Sequence, residues 1–280
     1  MNAEVSVVIG TGGMGRAIAR RIGAGHHLLI ADYREEALEP VAEQMRDDGF
    51  EVTTRSVDVT SRAAVAELAR AAAELGSVTR LVHTAGVSPA QGSVPAILGV
   101  DVLGPALVLD EFATVIAPGG AGVVIASNAG HFYPGPLSPE DIHALCTLSP
   151  EDLAAHPLLS PERYADGSIA YQFAKHAAQL RVRAVAAGTW GDRGARLNSI
   201  SPGVISTPMG RAELVGGDQV LVRGLIEASA IKRPGAAEEI AAAAEFLLGR
   251  SAGFVTGTDL TVDGGAIAAI TTGRFQQAAV

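Results

Sequence analysis

Short runs of apolar residues alternate along the chain with longer segments in which apolar positions recur every three or four residues. The runs are Val5–Ile9, Leu28–Ala31, Val52–Val57, Leu81–Val82, Gly122–Ala126, Leu197–Ile200 and Asp259–Val262. They have strand length, and several offer no polar face, as strands buried on both sides require. Between them Arg16–Ile22, Glu36–Asp47, Arg62–Leu75, Val102–Ile116, Tyr171–Ala187 and Ala236–Leu248 carry an apolar stripe at helical spacing. Such alternation predicts an α/β fold: a doubly wound parallel sheet of about seven strands, helices on both faces and right-handed crossovers. No linker interrupts the pattern, so residues 1–280 are expected to form a single domain.

One stretch breaks the alternation. Residues 132–168 are irregular and rich in proline, and they hold a repeat: Leu137-Ser138-Pro139-Glu140, Leu148-Ser149-Pro150-Glu151 and Leu159-Ser160-Pro161-Glu162. Serine accepts from first-turn amides, proline suits the first helical position, and glutamate faces the positive helix end. The phrase therefore predicts three short helical turns. The insertion is either surface decoration or a lid, and the apolar Ile142, Leu145, Leu153 and Leu158 suit packing over something.

Apolar residues make up 48 % of the chain, enough for a sizeable core. A net charge of −9 argues against a nucleic-acid partner, which needs a basic face. The single cysteine, Cys146, cannot form an intramolecular disulfide, which fits a reducing compartment. The first residues carry no basic region like that of a signal peptide, and no run approaches the ~20 apolar residues of a membrane span. A cytoplasmic protein with no membrane partner is expected.

Gly10-Thr11-Gly12-Gly13-Met14-Gly15 follows the first strand and opens the first helix. Glycines at this spacing let the backbone approach a pyrophosphate, which rests on the amides and positive end of the helix. Asp32 ends the second strand, where a carboxylate can accept both hydroxyls of a ribose and repel a 2′-phosphate. NAD is therefore expected as cofactor, with NADP less favoured, although Arg34 offers a guanidinium nearby. Asp32 with Glu35 also reads as a capping box for the next helix. Asp58, with Val59 after it, ends the third strand and suits either an adenine amino group or a plain turn.

Only two lysines occur among 280 residues, and one, Lys175, lies four positions after Tyr171. On a helix the two share a face. A phenol with an ordinary pKa near 10 is a poor base at neutral pH, and an adjacent ammonium stabilises its phenolate. A tyrosine packing its ring beside an outward lysine would give the same spacing.

These features together resemble the short-chain dehydrogenase/reductase family, across the whole chain outside the insertion. His83-Thr84-Ala85-Gly86 is similar to the family's Asn-Asn-Ala-Gly, and Ser127 follows the fifth strand where the family's catalytic serine lies. The segment from Ser201 to Met209 resembles its nicotinamide loop, and Val262-Asp263-Gly264-Gly265 its last strand. The resemblance implies a Rossmann-type fold and interconversion of a secondary alcohol and a ketone by an NAD(P)-dependent oxidoreductase. It implies Tyr171 as general acid/base, Ser127 as hydrogen-bond donor to the reacting oxygen, and Lys175 tuning Tyr171 and binding the nicotinamide ribose. It further implies that Ala85, Gly86, Pro202, Gly203, Ile205 and Thr207 line the cofactor, with Thr207 on the carboxamide. The family's habit implies a homodimer or homotetramer.

The chain departs from the family in four places. The glycine loop is one residue shorter than usual, and His83-Thr84 replaces two asparagines; a structural substitution in the turn suits His83 better than a catalytic role. Asp101 stands where many members carry the asparagine of a proton relay, so it joins Ser127, Tyr171 and Lys175 as a candidate catalytic residue. Ser127 and Tyr171 are 44 positions apart, and the insertion fills the gap, much as in the branch resembling 3α-hydroxysteroid dehydrogenase/carbonyl reductase. There it is expected to shape the substrate pocket. Two other functions fit the glycine loop. A catalytically silent NAD(H)-binding redox sensor would need no Ser127, Tyr171 and Lys175, and a methyltransferase would need neither the Tyr/Lys pair nor the Pro202-Gly203 loop. The seven histidines show no metal-ligand spacing.

Overall fold

In the computed structural model, which describes residues 3–214 and 219–274, seven strands pair in parallel in one sheet. They are β1 (Glu4–Ile9), β2 (His27–Asp32), β3 (Glu51–Ser56), β4 (Ser77–His83), β5 (Ile116–Ile125), β6 (Arg196–Pro202) and β7 (Asp259–Val262). Their spatial order is β3-β2-β1-β4-β5-β6-β7. The chain builds outward from β1 to β3, returns to place β4 on the other side of β1, and continues to β7. The order thus reverses between β1 and β4, and a crevice opens there beyond the carboxyl ends of the strands.

The helices are α1 (Gly13–Ile22), α2 (Glu35–Asp47), α3 (Arg62–Leu75), α4 (Val94–Leu98), α5 (Gly104–Ala113), α6 (Pro139–Thr147), α7 (Pro150–Ala154), α8 (Gly167–Ala187), α9 (Thr189–Asp192), α10 (Pro208–Glu213), α11 (Gln219–Ala228), α12 (Ala237–Leu248) and α13 (Ala266–Thr271). Alternate strand residues feed two cores. Val7, Ile9, Leu81 and Val124 pack with Val65, Leu107, Phe112 and Val182 of α3, α5 and α8. Val8, Ile30, Val82 and Ile125 pack on the other face with Ile18, Leu38, Met45 and Ile240 of α1, α2 and α12. That two-sided burial explains the apolar runs of the sequence.

The insertion builds a third core. Leu145, Leu153 and Leu158 are buried with Ile97 and Leu98 of α4 and with Phe173, Ala174 and Ala177 of α8, while Ile142 stays exposed. Its starts follow the repeated phrase: Ser138 forms a capping box with Asp141, and Ser149 accepts the Asp152 amide. The third phrase opens only a 3-10 turn, Pro161–Arg163, and Ser160 caps nothing. Arg62 ties the insertion down, bonding Asp110 and Glu111 of α5 and Glu151 of α7.

The helix expected over Val102–Ile116 is different. Helix starts at Val94, passes through a π-helical turn at Gly99–Leu103, resumes at Gly104 and ends at Ala113. Pro105 explains the break: it has no N–H for the carbonyl four residues earlier, that of Asp101. The Gly104 amide instead reaches back to the Gly99 carbonyl, the wider bond of a π turn. Ile116 is strand rather than helix, and Gly119, with φ +80°, turns residues 117–120 out of register before β5 resumes beside β4.

Candidate active site

The π turn aims Asp101 inward. Its side chain is fully buried, and Oδ1 lies 3.4 Å from Lys175 Nζ and accepts the Val87 amide at 3.2 Å. Burial pushes the Asp101 carboxyl above its ordinary pKa, against the Lys175 charge and the Val87 bond. Burial alone would lower the Lys175 ammonium, but Asp101 and Tyr171 outweigh it and hold its pKa above the usual lysine value. Lys175 Nζ lies 5.3 Å from the centroid of the Tyr171 ring, within cation–π range. The i,i+4 spacing on α8 therefore sets an anchored cation against a phenol.

The loop after β4 closes over this pair. A Cβ on Gly86 would stand 2.7 Å from Asp101 Oδ1 and 3.2 Å from Lys175 Nζ, so only glycine fits there. The Thr84 and Ala85 amides bond the Ile9 carbonyl and tie the loop to the end of β1. His83 is buried on the same side. Burial, then the Lys175 charge, lower its pKa to about 3, so it is neutral at any physiological pH. Among the described residues neither ring nitrogen has a hydrogen-bond partner, which suits a structural rather than a proton-accepting residue.

Ser127 ends the extended segment after β5 and starts a 3-10 turn, Asn128–Phe132. Its Oγ accepts the Ala129 amide at 3.1 Å, so the hydroxyl proton is what the residue has to offer a ligand. The Ser127 carbonyl accepts from Gln179 Nε2 at 3.2 Å. Gln179 lies one turn beyond Lys175, so α8 carries Tyr171, Lys175 and Gln179 along one face.

At the other end of the crevice the glycine loop makes the turn from β1 to α1. Gly10 has φ +100°, a conformation that favours glycine, and its amide bonds the Ala31 carbonyl of β2. Among the described residues the first turn of α1 has no side-chain cap, and a Cβ at Gly12 would meet nothing within 4 Å. An uncapped helix start facing open space beside Gly12, Gly13, Met14 and Gly15 fits a dinucleotide pyrophosphate. Asp32 is held beside it: its Oδ2 accepts the Thr11 amide and hydroxyl, both at 2.7 Å, and its Oδ1 accepts the Arg34 amide at 3.1 Å. The capping box with Glu35 does not form, because α2 starts after Arg34 and has no side-chain cap. Arg34 Nε lies 3.9 Å from Asp32. Asp58 is occupied as a turn residue, accepting the Thr60 amide and hydroxyl, and Val59 is buried beside it.

The loop after β6 faces the glycines. Gly203 bonds the Val262 carbonyl, Ile205 is buried and paired with Gly235, and Thr207 caps α10 through the Gly210 amide. The Thr207 methyl lies against Gly13, so Pro202 to Thr207 and the glycine loop border one crevice. The candidate residues thus gather at the carboxyl ends of β1, β2, β4, β5 and β6. What the sequence reading missed is polar support behind them, chiefly Gln179 and Asp259. Helical spacing from Lys175 was an available sign for Gln179; a lone acid opening a short strand was the only sign of Asp259.

Comparison with known proteins agrees with this geometry. Residues 4–138 match the family model described as short chain dehydrogenase, and residues 158–266 match one described as enoyl-(acyl carrier protein) reductase. The unmatched stretch between them, residues 139–157, holds about half of the insertion. The short-chain dehydrogenase/reductase bsc3 of Alternaria brassicicola is 39% identical, over 96% of this chain and 97% of that protein. Meso-2,3-butanediol dehydrogenase of Serratia marcescens is 31% identical, over 95% of each chain. A solved dehydrogenase/reductase from Sinorhizobium meliloti 1021 shares the fold with a TM-score of 0.75 at 23% identity, over 95% of this chain and 96% of that one. Reversed strand order, glycine turn, Tyr/Lys helix and full-length relatives converge: the chain belongs to the short-chain dehydrogenase/reductase family of oxidoreductases.

Proposed function

We propose that the protein interconverts a secondary alcohol and a ketone with a nicotinamide cofactor, and that Tyr171 transfers the proton. The observation that carries this is the chain Asp101–Lys175–Tyr171, its first two members buried, in which a carboxylate 3.4 Å from the ammonium fixes it against the phenol ring. When bound, the nicotinamide supplies or takes up the hydride. In the reducing direction Tyr171 gives its proton to the carbonyl oxygen, and the Lys175 ammonium stabilises the phenolate left behind. Ser127 donates its hydroxyl proton to the same oxygen and stabilises the charge developing there. In oxidation the phenolate takes the alcohol proton. Asp101 keeps the lysine charged and aimed.

The residues proposed to hold the cofactor are Gly10, Gly12, Gly13, Met14 and Gly15 at the phosphates, Asp32 at the adenosine ribose, and Asp58 and Val59 at the adenine. Ala85, Gly86, Pro202, Gly203, Ile205 and Thr207 are assigned to the nicotinamide end. A carboxylate fastened at Asp32 repels a 2′-phosphate, which supports NAD(H) over NADP(H). Relatives named for D-threitol, meso-2,3-butanediol and 3β-hydroxysteroid oxidation define a substrate panel. The test is turnover of that panel, read by nicotinamide absorbance, for the protein and for Tyr171→Phe. The variant should lose activity by about a thousandfold while still binding NADH. Undiminished turnover by Tyr171→Phe would remove the tyrosine from the mechanism.

A further inference from the structure

Asp259 opens β7, the edge strand of the sheet, yet its side chain is only 2 % exposed. A carboxylate is buried at great cost unless its oxygens are hydrogen-bonded, and here both are. Oδ1 accepts the hydroxyls of Ser199 at 2.6 Å and Ser201 at 2.9 Å, and Oδ2 lies 2.8 Å from His131 Nε2. Ser201 has one proton and gives it to Asp259, so its oxygen is free to accept from Gln179 Nε2, 2.9 Å away. The same Gln179 nitrogen donates to the Ser127 carbonyl at 3.2 Å. Because Ser127 offers a carbonyl, the amide must present its NH2 group, and the direction of every bond follows.

The consequence is mechanical. The turn that begins at Ser127 is tied to one carboxylate twice: through Gln179 and Ser201 at its first residue, and through His131 four residues later. Gln179 projects from the helix that carries Tyr171 and Lys175, so the tie also sets the turn against those residues. Ser201 directly precedes Pro202 and Gly203, so the carboxylate holds the root of that loop as well.

We propose that Asp259, Ser201, Gln179 and His131 form a positioning network that fixes the Ser127 hydroxyl relative to Tyr171. None of the four needs to touch a reactant; each acts through Ser127. The proposal rests on Ser127 acting on the substrate oxygen, and the experiment separates the two claims.

The experiment uses the full-length protein and whichever of meso-2,3-butanediol, D-threitol or a 3β-hydroxysteroid it turns over fastest. Ser127→Ala should lower kcat about a hundredfold. Gln179→Met keeps the shape of the side chain and removes its donor, and should lower kcat about tenfold by displacing the hydroxyl. Its KM for the alcohol and Kd for NADH should stay within about twofold, since a misplaced transition-state donor spares ground-state binding. Gln179→Met should add nothing in the Ser127→Ala background, where there is no hydroxyl left to place. His131→Ala, at a part-exposed residue, should show the same kcat-specific loss in smaller measure. Wild-type kcat in Ser127→Ala would remove Ser127 from the chemistry and this proposal with it. A slow Ser127→Ala alongside wild-type kcat in Gln179→Met and His131→Ala would overturn the network alone. Multiplying effects of Ser127→Ala and Gln179→Met would overturn it too, since Gln179 would then act elsewhere.

Discussion

Lys175→Met is the sharpest perturbation of the buried centre, because it leaves a carboxylate without its cation. Asp101 has no exposed side-chain surface, and Lys175 is the partner that offsets its charge; the Val87 amide is what remains. Breaking a buried pair from one side costs about 3–5 kcal/mol. A ceiling follows independently from titration. Asp101 escapes the cost by binding a proton, and its ordinary pKa is 3.8. Holding that proton to pH 7 costs about 1.4 kcal/mol per pH unit over the difference, or about 4 kcal/mol. The two figures agree. The sign follows from the direction of the shift. Burial already raises the folded-state pKa of Asp101, and losing Lys175 raises it further. The folded state then binds more protons than the unfolded one, so stability falls as pH rises above 3.8 until the folded-state pKa is passed. Urea denaturation can be followed through Trp190, the sole tryptophan, which is fully buried. Relative to the unaltered protein, Lys175→Met should weaken steadily from pH 5 to pH 7. The double variant Lys175→Met/Asp101→Asn should show no such slope and should recover stability at pH 7. A Lys175→Met penalty independent of pH, or a double variant weaker than the single one, would mean that the Asp101 charge is not what Lys175 offsets.

Two other substitutions probe the cofactor end and the insertion. Thr11→Val removes the hydroxyl that holds Asp32 Oδ2 at 2.7 Å; with a charge-assisted bond worth about 1.5–3 kcal/mol, NADH should bind about tenfold more weakly by fluorescence titration. Tighter binding of NADPH than NADH by the unaltered protein would instead overturn the role given to Asp32. Tyr164→Phe deletes the buried hydroxyl that donates to the Leu158 carbonyl. Its urea midpoint should fall by the equivalent of about 1–2 kcal/mol, with Kd for NADH unchanged, since the bond lies inside the insertion.

What could be read in advance was what local chemistry decides. The inner strands announced themselves, because residues buried on both faces of a parallel sheet must be apolar, whereas the edge strands β3 and β7 are partly polar and partly exposed. Ser138 and Ser149 were legible as helix starts because a cap and its amide lie three residues apart. The π turn was not. Gly99, Gly104 and Pro105 each argue against helix, and the apolar stripe on both sides argues for it. Packing on α8 and α3 keeps the segment helical, and the missing Pro105 N–H then appears as a widened turn.

The same division runs through the site. Tyr171 and Lys175 could be paired from spacing alone, since α8 fixes their relation. Asp32 could be placed at the end of β2 but not oriented. Its two possible partners, the start of α2 and the glycine loop, compete through geometry, and the short loop wins by presenting two Thr11 donors to one oxygen. The partners of Asp259 lie beyond any local signal, because they are 58, 60 and 128 residues away. Its burial nonetheless has a local cause. β7 has only four residues and, among the described residues, pairs with β6 alone, and the turn after β5 folds back over the acid on its first residue. His131 makes that return, which is why the edge of the sheet and the residue that starts the turn, Ser127, are bound into one unit.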